Sequence, residues 1–260
     1  MAEWSDDVNS LQPTAIIFHV SRCGSTLLSQ LLALDEKHIV LSEVPFFDEL
    51  LRIPFKEKNA IKAKLSIEYL AAASKYYGQK RAGNEERLFI KTDSWHLHFY
   101  TQLRKLFPSV PFILLYRNPL EVMLSQKRQR GMQSVPGIIE PEVFGFSGQK
   151  ADENDLDKYM AEILESYFKK MIEIITSDAL ALLINYDDGI KNIMSKVYAF
   201  SGLKLTEKTE TLFAERSRFH AKHPQQLFME DYKEFSKPGY MKPVLELYKN
   251  LEDIRLLKSK

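Results

Sequence analysis

The sequence predicts an α/β fold, a parallel sheet of about five strands with helices on both faces. Short apolar runs typical of buried strands alternate with segments whose apolar residues recur at helical spacing. Strands that alternate with helices form parallel sheets whose two faces the helices cover. At 260 residues, of which 45% are hydrophobic, the chain can form one large domain, 1–260, with a full core.

The elements follow from these patterns in chain order. They are strand 14–20, helix 26–34, strand 38–41, helical segments 46–52 and 57–77, strand 87–91, helix 95–106, strand 111–116, helix 119–129, helix 153–176 and strand 180–185. Glycines and prolines interrupt residues 131–152 and predict a flexible insertion there. Both a mobile flap and a loop pinned by its aromatic side chains are consistent with this insertion. A C-terminal segment, 206–260, is expected to cover the functional site.

A predicted anion cradle follows the first strand. The apolar run up to Val20 stops at a short turn that contains Arg22 and Gly24, and a helix begins near Ser25 and Thr26. Such a strand–turn–helix unit directs backbone N–H groups and the positive end of the helix dipole to one point.

This turn differs from the Walker A loop of ATP-binding proteins. His19 stands where the first glycine of that loop belongs, and Ser25 stands in place of the lysine that reaches the β- and γ-phosphates. The cation is Arg22 instead. The single cysteine, Cys23, lies in the same turn, where it is either a small residue that fills the turn or a reactive thiol.

A second basic site is predicted after the strand 111–116. Arg117 ends that strand, Pro119 occupies a favourable first helical position, and Ser125 follows two turns into the helix. An arginine and a hydroxyl in this arrangement can bind one phosphate together. A simpler alternative is an ion pair between Arg117 and Glu121.

Three further polar residues follow strand candidates. Glu43 comes after the second strand, and Lys91 and Asp93 come at the end of the third. Because ligands of open α/β sheets bind at the carboxyl ends of the strands, Glu43 and Lys91 are expected to face one crevice together with Arg22 and Arg117.

Both basic sites resemble those of the sulfotransferases, whose donor is 3′-phosphoadenosine 5′-phosphosulfate (PAPS). The first turn is similar to their P-[KR]-S-G-[ST]-[ST] loop for the 5′-phosphosulfate, with Ser21 and Cys23 replacing the proline and the first serine. Arg117 and Ser125 match their R-[ND]-P-x-x-x-x-x-S site for the 3′-phosphate. The resemblance extends over roughly residues 14–205.

The resemblance also implies roles for single residues. Glu43 resembles the catalytic glutamate of the tyrosylprotein sulfotransferases, and Lys91 resembles the lysine that contacts the bridging oxygen. Asp93 occupies the place of the catalytic histidine in the cytosolic enzymes, so either carboxylate is a candidate base, with Glu43 favoured. Tyr186, in Tyr-Asp-Asp, resembles a tyrosine that lies near the nucleotide. The implied nucleotide-binding residues are Arg22, Cys23, Gly24, Ser25, Thr26, Arg117, Ser125 and Tyr186.

The function implied is sulfonate transfer from PAPS to a hydroxyl acceptor without a metal ion. A P-loop nucleotide or small-molecule kinase and a non-catalytic module that binds 3′-phosphoadenosine 5′-phosphate (PAP) are the alternatives. The net charge of +1 argues against a nucleic-acid partner. One cysteine, an acidic N-terminus and the lack of a long apolar run predict a cytoplasmic protein without a membrane span.

Overall fold

The computed structural model describes residues 5, 8–56, 60–146, 155–219, 221, 225–226 and 237–258. Five strands form one sheet in the order β2-β3-β1-β4-β5, and all neighbouring pairs are parallel. The strands are β1 (Pro13–His19), β2 (His38–Ser42), β3 (Arg87–Lys91), β4 (Phe112–Tyr116) and β5 (Ala181–Asn185). This confirms the predicted fold class and all five predicted strands.

Helices connect the strands and pack on both faces of the sheet. They are α1 (Ser25–Leu32), α2 (Pro45–Lys56), α3 (Ala60–Tyr77), α4 (Tyr100–Leu106), α5 (Pro119–Arg128), α6 (Leu156–Ser177), α7 (Ile190–Phe200), α8 (Glu207–Ser217) and α9 (Lys242–Lys258). Helices α1, α7 and α8 contact one another as one group, and α5, α6 and α9 form another. None of the helices within the described ranges is both long and apolar enough to cross a membrane.

The central strands form the core. Every residue of β4 is buried, and β1 is buried over all but one of its positions. Burying one large aliphatic or aromatic side chain stabilises a fold by about 1.5–3 kcal/mol. Because both faces of these strands are covered, the runs lack the polar alternation of a half-exposed strand.

The predicted helix 95–106 is two different elements. Residues Ser94–Phe99 form a 3₁₀-helix, and α4 begins only at Tyr100. The 3₁₀ segment contacts α2, α6 and β1 and is buried on most sides. Because it has no single exposed face, its sequence shows no periodicity that would distinguish a 3₁₀-helix from an α-helix.

The strand order creates a crevice between β1 and β3. The chain leaves β1 toward β2 on one side and leaves β3 toward β4 on the other. At such a switch point the two connections diverge and leave space at the carboxyl ends of the strands. The turn after β1 and the residues after β3 therefore border the same opening.

Candidate active site

The turn after β1 has an unusual backbone. Ser21, Arg22 and Gly24 have φ angles of 64°, 50° and 83°, in the left-handed region. Left-handed conformations at residues other than glycine cost on the order of 1–2 kcal/mol each, and such strain is concentrated at functional sites. Gly24 is the N-cap of α1 and has no side chain to cap the helix, so Ser25 and Thr26 begin α1 at the predicted anion cradle.

Tyr186 lies directly against this turn. A Cβ atom added to Gly24 would come within 2.1 Å of the Tyr186 ring. The ring in turn contacts Arg117, whose Cζ atom lies 4.8 Å from the ring centroid. Tyr186 thus joins the two basic sites that the sequence predicts.

We expect Gly24→Ala to disrupt the cradle. The new Cβ would clash with Tyr186 and would also have to adopt φ of +83°. Loss of affinity for PAP and a lower melting temperature are the expected results, measured by titration calorimetry and thermal unfolding. Gly202→Ala is the matched control, since Gly202 also has positive φ (69°) but has open space around its Cβ position. Equal effects of both substitutions on PAP affinity would contradict the role of the Tyr186 contact.

Arg22 connects the two predicted phosphate sites. Its Nε donates to the Oγ of Ser125 at 2.8 Å, and its NH2 group lies 3.4 Å from the backbone oxygen of Ser125. Arg22 makes no ion pair with a carboxylate among the described residues. Burial and the neighbouring charge of Arg128 both lower the pKa of Arg22. A half-buried guanidinium without a counter-ion, beside a second arginine, provides an uncompensated positive charge for an anion.

Cys23 is a structural residue in this turn. Its side chain is fully buried, and its Sγ lies 3.5 Å from the backbone oxygen of Leu115. Burial raises the pKa of the thiol to about 12, so the thiolate is not formed near neutral pH. The geometry thus favours the space-filling role over the reactive thiol.

Glu43 and Lys91 meet at the carboxyl ends of β2 and β3. Lys91 Nζ lies 2.6 Å from Glu43 Oε1, and the Glu43 N–H donates to the Lys91 carbonyl oxygen at 2.8 Å. The lysine is almost completely buried, whereas the carboxylate is 45% exposed. Glu43 has φ of 51°, so all three left-handed residues other than glycine in the described chain border this site.

His19 is a member of this site that the sequence did not identify. Its Nδ1 accepts from the Ser21 N–H at 3.1 Å, which leaves a proton on Nε2. Nε2 lies 2.9 Å from the Thr92 carbonyl oxygen and 3.5 Å from Glu43 Oε1. Burial lowers the pKa of His19, so the neutral ring is favoured. The sequence feature that could have identified it is its position as the last residue of β1, because ligands of such sheets bind at the carboxyl ends of the strands.

The two candidate bases have very different acidities. Burial raises the pKa of Glu43, but the hydrogen bond from His19 and the charge of Lys91 outweigh it and lower the value to about 2. Burial also raises the pKa of Asp93, the charge of His96 opposes it, and the charge of Glu43 adds to it, so the value is about 6. Glu43 is therefore ionised throughout the neutral range, whereas Asp93 titrates close to it.

Arg117 forms the ion pair with Glu121 that the sequence left as an alternative. Asp187 Oδ1 lies 3.9 Å from the Arg117 Nε. Ser125, two turns along α5, is hydrogen-bonded to Arg22 rather than to Arg117 in the described part of the chain. The two residues of the predicted 3′-phosphate pair are therefore bonded to different partners, Ser125 to Arg22 and Arg117 to Glu121.

The nearest sequence candidates for a C-terminal phosphate clamp are Arg216, Ser217, Arg218 and Lys222. Arg216 and Ser217 form hydrogen bonds within the protein. Arg216 donates to the side chain of Gln30 on α1 and lies 3.2 Å from the Phe219 carbonyl oxygen. Ser217 donates to the Ala214 carbonyl oxygen at 3.0 Å. Lys222, a further candidate phosphate ligand, lies outside the described residues.

Comparisons with known proteins identify the family and the fold of this chain. The sulfotransferase domain family matches residues 12–242. Sulfotransferase STF9 from Mycobacterium avium superposes with a TM-score of 0.56 at 13% identity, covering 96% of this chain and 78% of that one. The sulfotransferase domain from the curacin biosynthetic pathway gives 0.51 at 14% identity, covering 77% of each chain. No curated protein sequence matches significantly. Because the family match spans most of its length, this chain belongs to the sulfotransferase domain family.

Proposed function

We propose that this protein is an enzyme that transfers a sulfonate group from PAPS to the hydroxyl of an acceptor. The observation that carries the proposal is Arg22, a half-buried guanidinium without a carboxylate partner among the described residues. It lies beside the uncapped N-terminus of α1 and is hydrogen-bonded to Ser125. These groups fit a donor with an anion at each end, because positive charge and free N–H groups converge on one cleft.

In the proposed reaction the acceptor oxygen forms a new bond to sulfur while the bond from sulfur to the 5′-phosphate oxygen breaks. Arg22, the N–H groups at the start of α1 and Lys91 stabilise the charge on the sulfonate and on the departing phosphate. Arg117 and Ser125 bind the 3′-phosphate. Glu43 receives the proton of the acceptor hydroxyl, since its half-exposed carboxylate is accessible to an acceptor. It lies 2.6 Å from Lys91, which places it beside the group that Lys91 stabilises.

Asp93 is a second candidate for the proton acceptor. Its pKa of about 6 is better matched to neutral pH than that of Glu43. Because basicity and correct ionisation both matter, a base with a pKa near the working pH is the more efficient one.

Ligand-dependent unfolding tests the proposal. We expect PAP to raise the melting temperature, and ATP with Mg²⁺ to have little effect, since a ligand that binds only the folded state stabilises it by an amount that grows with the logarithm of its concentration relative to its dissociation constant. Stabilisation by ATP–Mg²⁺ alone would indicate a kinase instead. Stabilisation by PAP without any sulfonate transfer across a panel of alcohol, phenol, sugar and peptide acceptors would indicate a binding module.

Arg117→Ala is expected to weaken PAP binding by about tenfold to a hundredfold, because a charge-assisted hydrogen bond contributes roughly 1.5–3 kcal/mol. The affinity for AMP, which lacks the 3′-phosphate, should change much less. Arg104→Ala is the matched control, since Arg104 pairs with Asp178 at the amino end of β5. Equal loss of PAP and AMP affinity in Arg117→Ala would contradict the 3′-phosphate role.

A further inference from the structure

A buried arginine links α2 to the segment 131–140, which we name the strap. Arg52 is 7% exposed. Its Nε and NH2 groups donate to the two carboxylate oxygens of Glu140 at 2.7 and 3.0 Å. NH2 also donates to the carbonyl oxygen of Ile138 at 2.9 Å. This fork fixes one end of the strap to the side of the sheet that carries β2.

The other end of the strap is tied to the turn after β1. Gln126, which is fully buried, accepts from the Gly131 N–H at 2.8 Å. Its Nε2 donates to the Ser21 hydroxyl at 3.3 Å. The strap therefore runs from α5, after β4, to α2, after β2, and crosses the carboxyl ends of the strands between them.

The same arginine begins a chain of hydrogen bonds that leads to Asp93. Arg52 NH1 donates to Asp48 Oδ2 at 2.9 Å. Asp48 Oδ1 accepts from Trp95 Nε1 at 2.6 Å and lies 3.0 Å from His96 Nε2. On the other side of its ring, His96 Nδ1 accepts from the Asp93 N–H at 3.3 Å.

This chain is fully engaged without an added ion. Asp48, Asp93 and His96 lie close enough to share a metal. However, both oxygens of Asp48 already accept hydrogen bonds, from Arg52 on one and from Trp95 and His96 on the other. A cation would have to displace these donors, so the cluster is better explained as a protein-only network.

We propose that Arg52 is a positioning residue that holds the strap and, through Asp48 and His96, orients Asp93 in the transfer site. The inference rests on the proposed function only in that Asp93 borders the site of transfer. A residue tied at the same time to a crossing segment and to a strand end keeps the two in fixed geometry, and small displacements of reacting groups cost large factors in rate.

The charges that face Asp93 define the expected effects. They are the charges of His96 and Lys91, which lower its pKa, and those of Glu43 and Asp48, which raise it. Arg52→Met leaves the Asp48 charge uncompensated, so we expect the titration midpoint of Asp93 to rise. Asp48→Asn removes a negative charge, so the midpoint should fall. Each shift should be on the order of half a pH unit or more.

Carboxyl ¹³C NMR of the intact chain measures these midpoints, with the Asp93 signal assigned by its loss in Asp93→Asn. Hydrogen exchange of the strap amides reports on its attachment and should accelerate by about tenfold in Arg52→Met. Arg52→Lys retains the charge but not the fork, so the Asp93 midpoint should stay near the wild-type value while strap exchange increases. This variant also serves if Arg52→Met does not fold.

Arg104→Met controls for the loss of a partly buried, paired arginine elsewhere. It should lower the melting temperature without moving the Asp93 midpoint or the strap exchange. Shifts in the same direction, or no shift, in Arg52→Met and Asp48→Asn would overturn the proposal, as would faster strap exchange in Arg104→Met. PAP affinity is measured in parallel, because its absence in the wild type would count against the proposed function and not against the network.

Discussion

Glu43→Gln is expected to reduce the rate of sulfonate transfer by about a hundredfold to ten-thousandfold, the usual contribution of a general base. Glutamine keeps the shape of the side chain but cannot accept the proton of the acceptor. PAP affinity should stay within a few-fold of the wild type, since the hydroxyl acceptor and not the nucleotide faces this carboxylate in the proposed reaction. Single-turnover transfer from radiolabelled PAPS measures the rate.

Asp93→Asn is the matched variant, because it makes the same chemical change at the other candidate base. A smaller effect than that of Glu43→Gln is expected in spite of the better-matched pKa of Asp93, because its side chain is 15% exposed against 45% for Glu43 and is less accessible to an acceptor. If Asp93→Asn abolishes transfer while Glu43→Gln retains most of it, the assignment of Glu43 is wrong and Asp93 is the base.

The pH dependence of the wild-type enzyme separates the two carboxylates independently. With a pKa of about 2, Glu43 remains ionised across the whole range from pH 8 to 5, so a rate that depends on it stays level there. With a pKa of about 6, Asp93 becomes protonated as the pH falls through that value, so a rate that depends on it declines about tenfold per unit below pH 6. A steep decline below pH 6 that disappears in Asp93→Asn would contradict the proposal for Glu43.

Local patterns were sufficient to predict the strands and the strand–turn–helix unit after β1. The apolar runs end at polar residues because buried strands of a parallel sheet are apolar on both faces, and this rule located all five strands. Pro119 indeed begins α5 at its first position. Arg22, Glu43, Lys91 and Arg117 lie at or just after the carboxyl ends of four strands, and because the strands are parallel these residues share one edge of the sheet. Their contacts with one another depend on side-chain direction, which the sequence does not give.

The acidities of the candidate bases could not be read from the sequence. Phe46 and Phe47, close to Glu43 in the chain, favour a raised pKa, whereas Arg22 and Lys91 at neighbouring strand ends favour a lowered one, so the sequence left the direction of the shift open. The cation and the histidine that lower its pKa come from positions 48 and 24 residues away along the chain, and only the sheet register brings them together. Opposing effects of this kind are decided by distances, and composition or spacing does not contain them.

The network around Arg52 was missed for a related reason. Arg52 and Asp48 are one helical turn apart on α2, which resembles an ordinary surface ion pair. Their burial is a property of the 3₁₀ segment and of the strap, which pack over them from positions 47 to 88 residues away along the chain. Polar residues on an otherwise amphipathic helix do not reveal whether a later segment covers them.

Lys91→Ala is expected to have the second large effect, a loss of transfer of about a hundredfold to a thousandfold, as for removal of one charge-stabilising donor. The lysine is 3% exposed, and its ammonium group lies 2.6 Å from Glu43 Oε1. Because this position is buried, a lysine or arginine at the protein surface could not supply the missing charge there. PAP affinity should fall as well, because PAP carries the departing phosphate that Lys91 stabilises in the proposed reaction. Lys37→Ala is the control, because Lys37 forms an exposed ion pair with Glu86 at the amino end of β3.

This substitution should also change the behaviour of Glu43, which separates its effect from a simple loss of positive charge. Without Lys91 the carboxylate keeps its hydrogen bond from His19 but loses a nearby positive charge, so its pKa should rise. The residual transfer rate should then become dependent on pH in a range where the wild-type rate is level. A residual rate with the same pH profile as the wild type, down to the lowest pH at which both proteins stay folded, would show that the lysine does not control the ionisation of the base. Unchanged transfer would exclude Lys91 from the reaction.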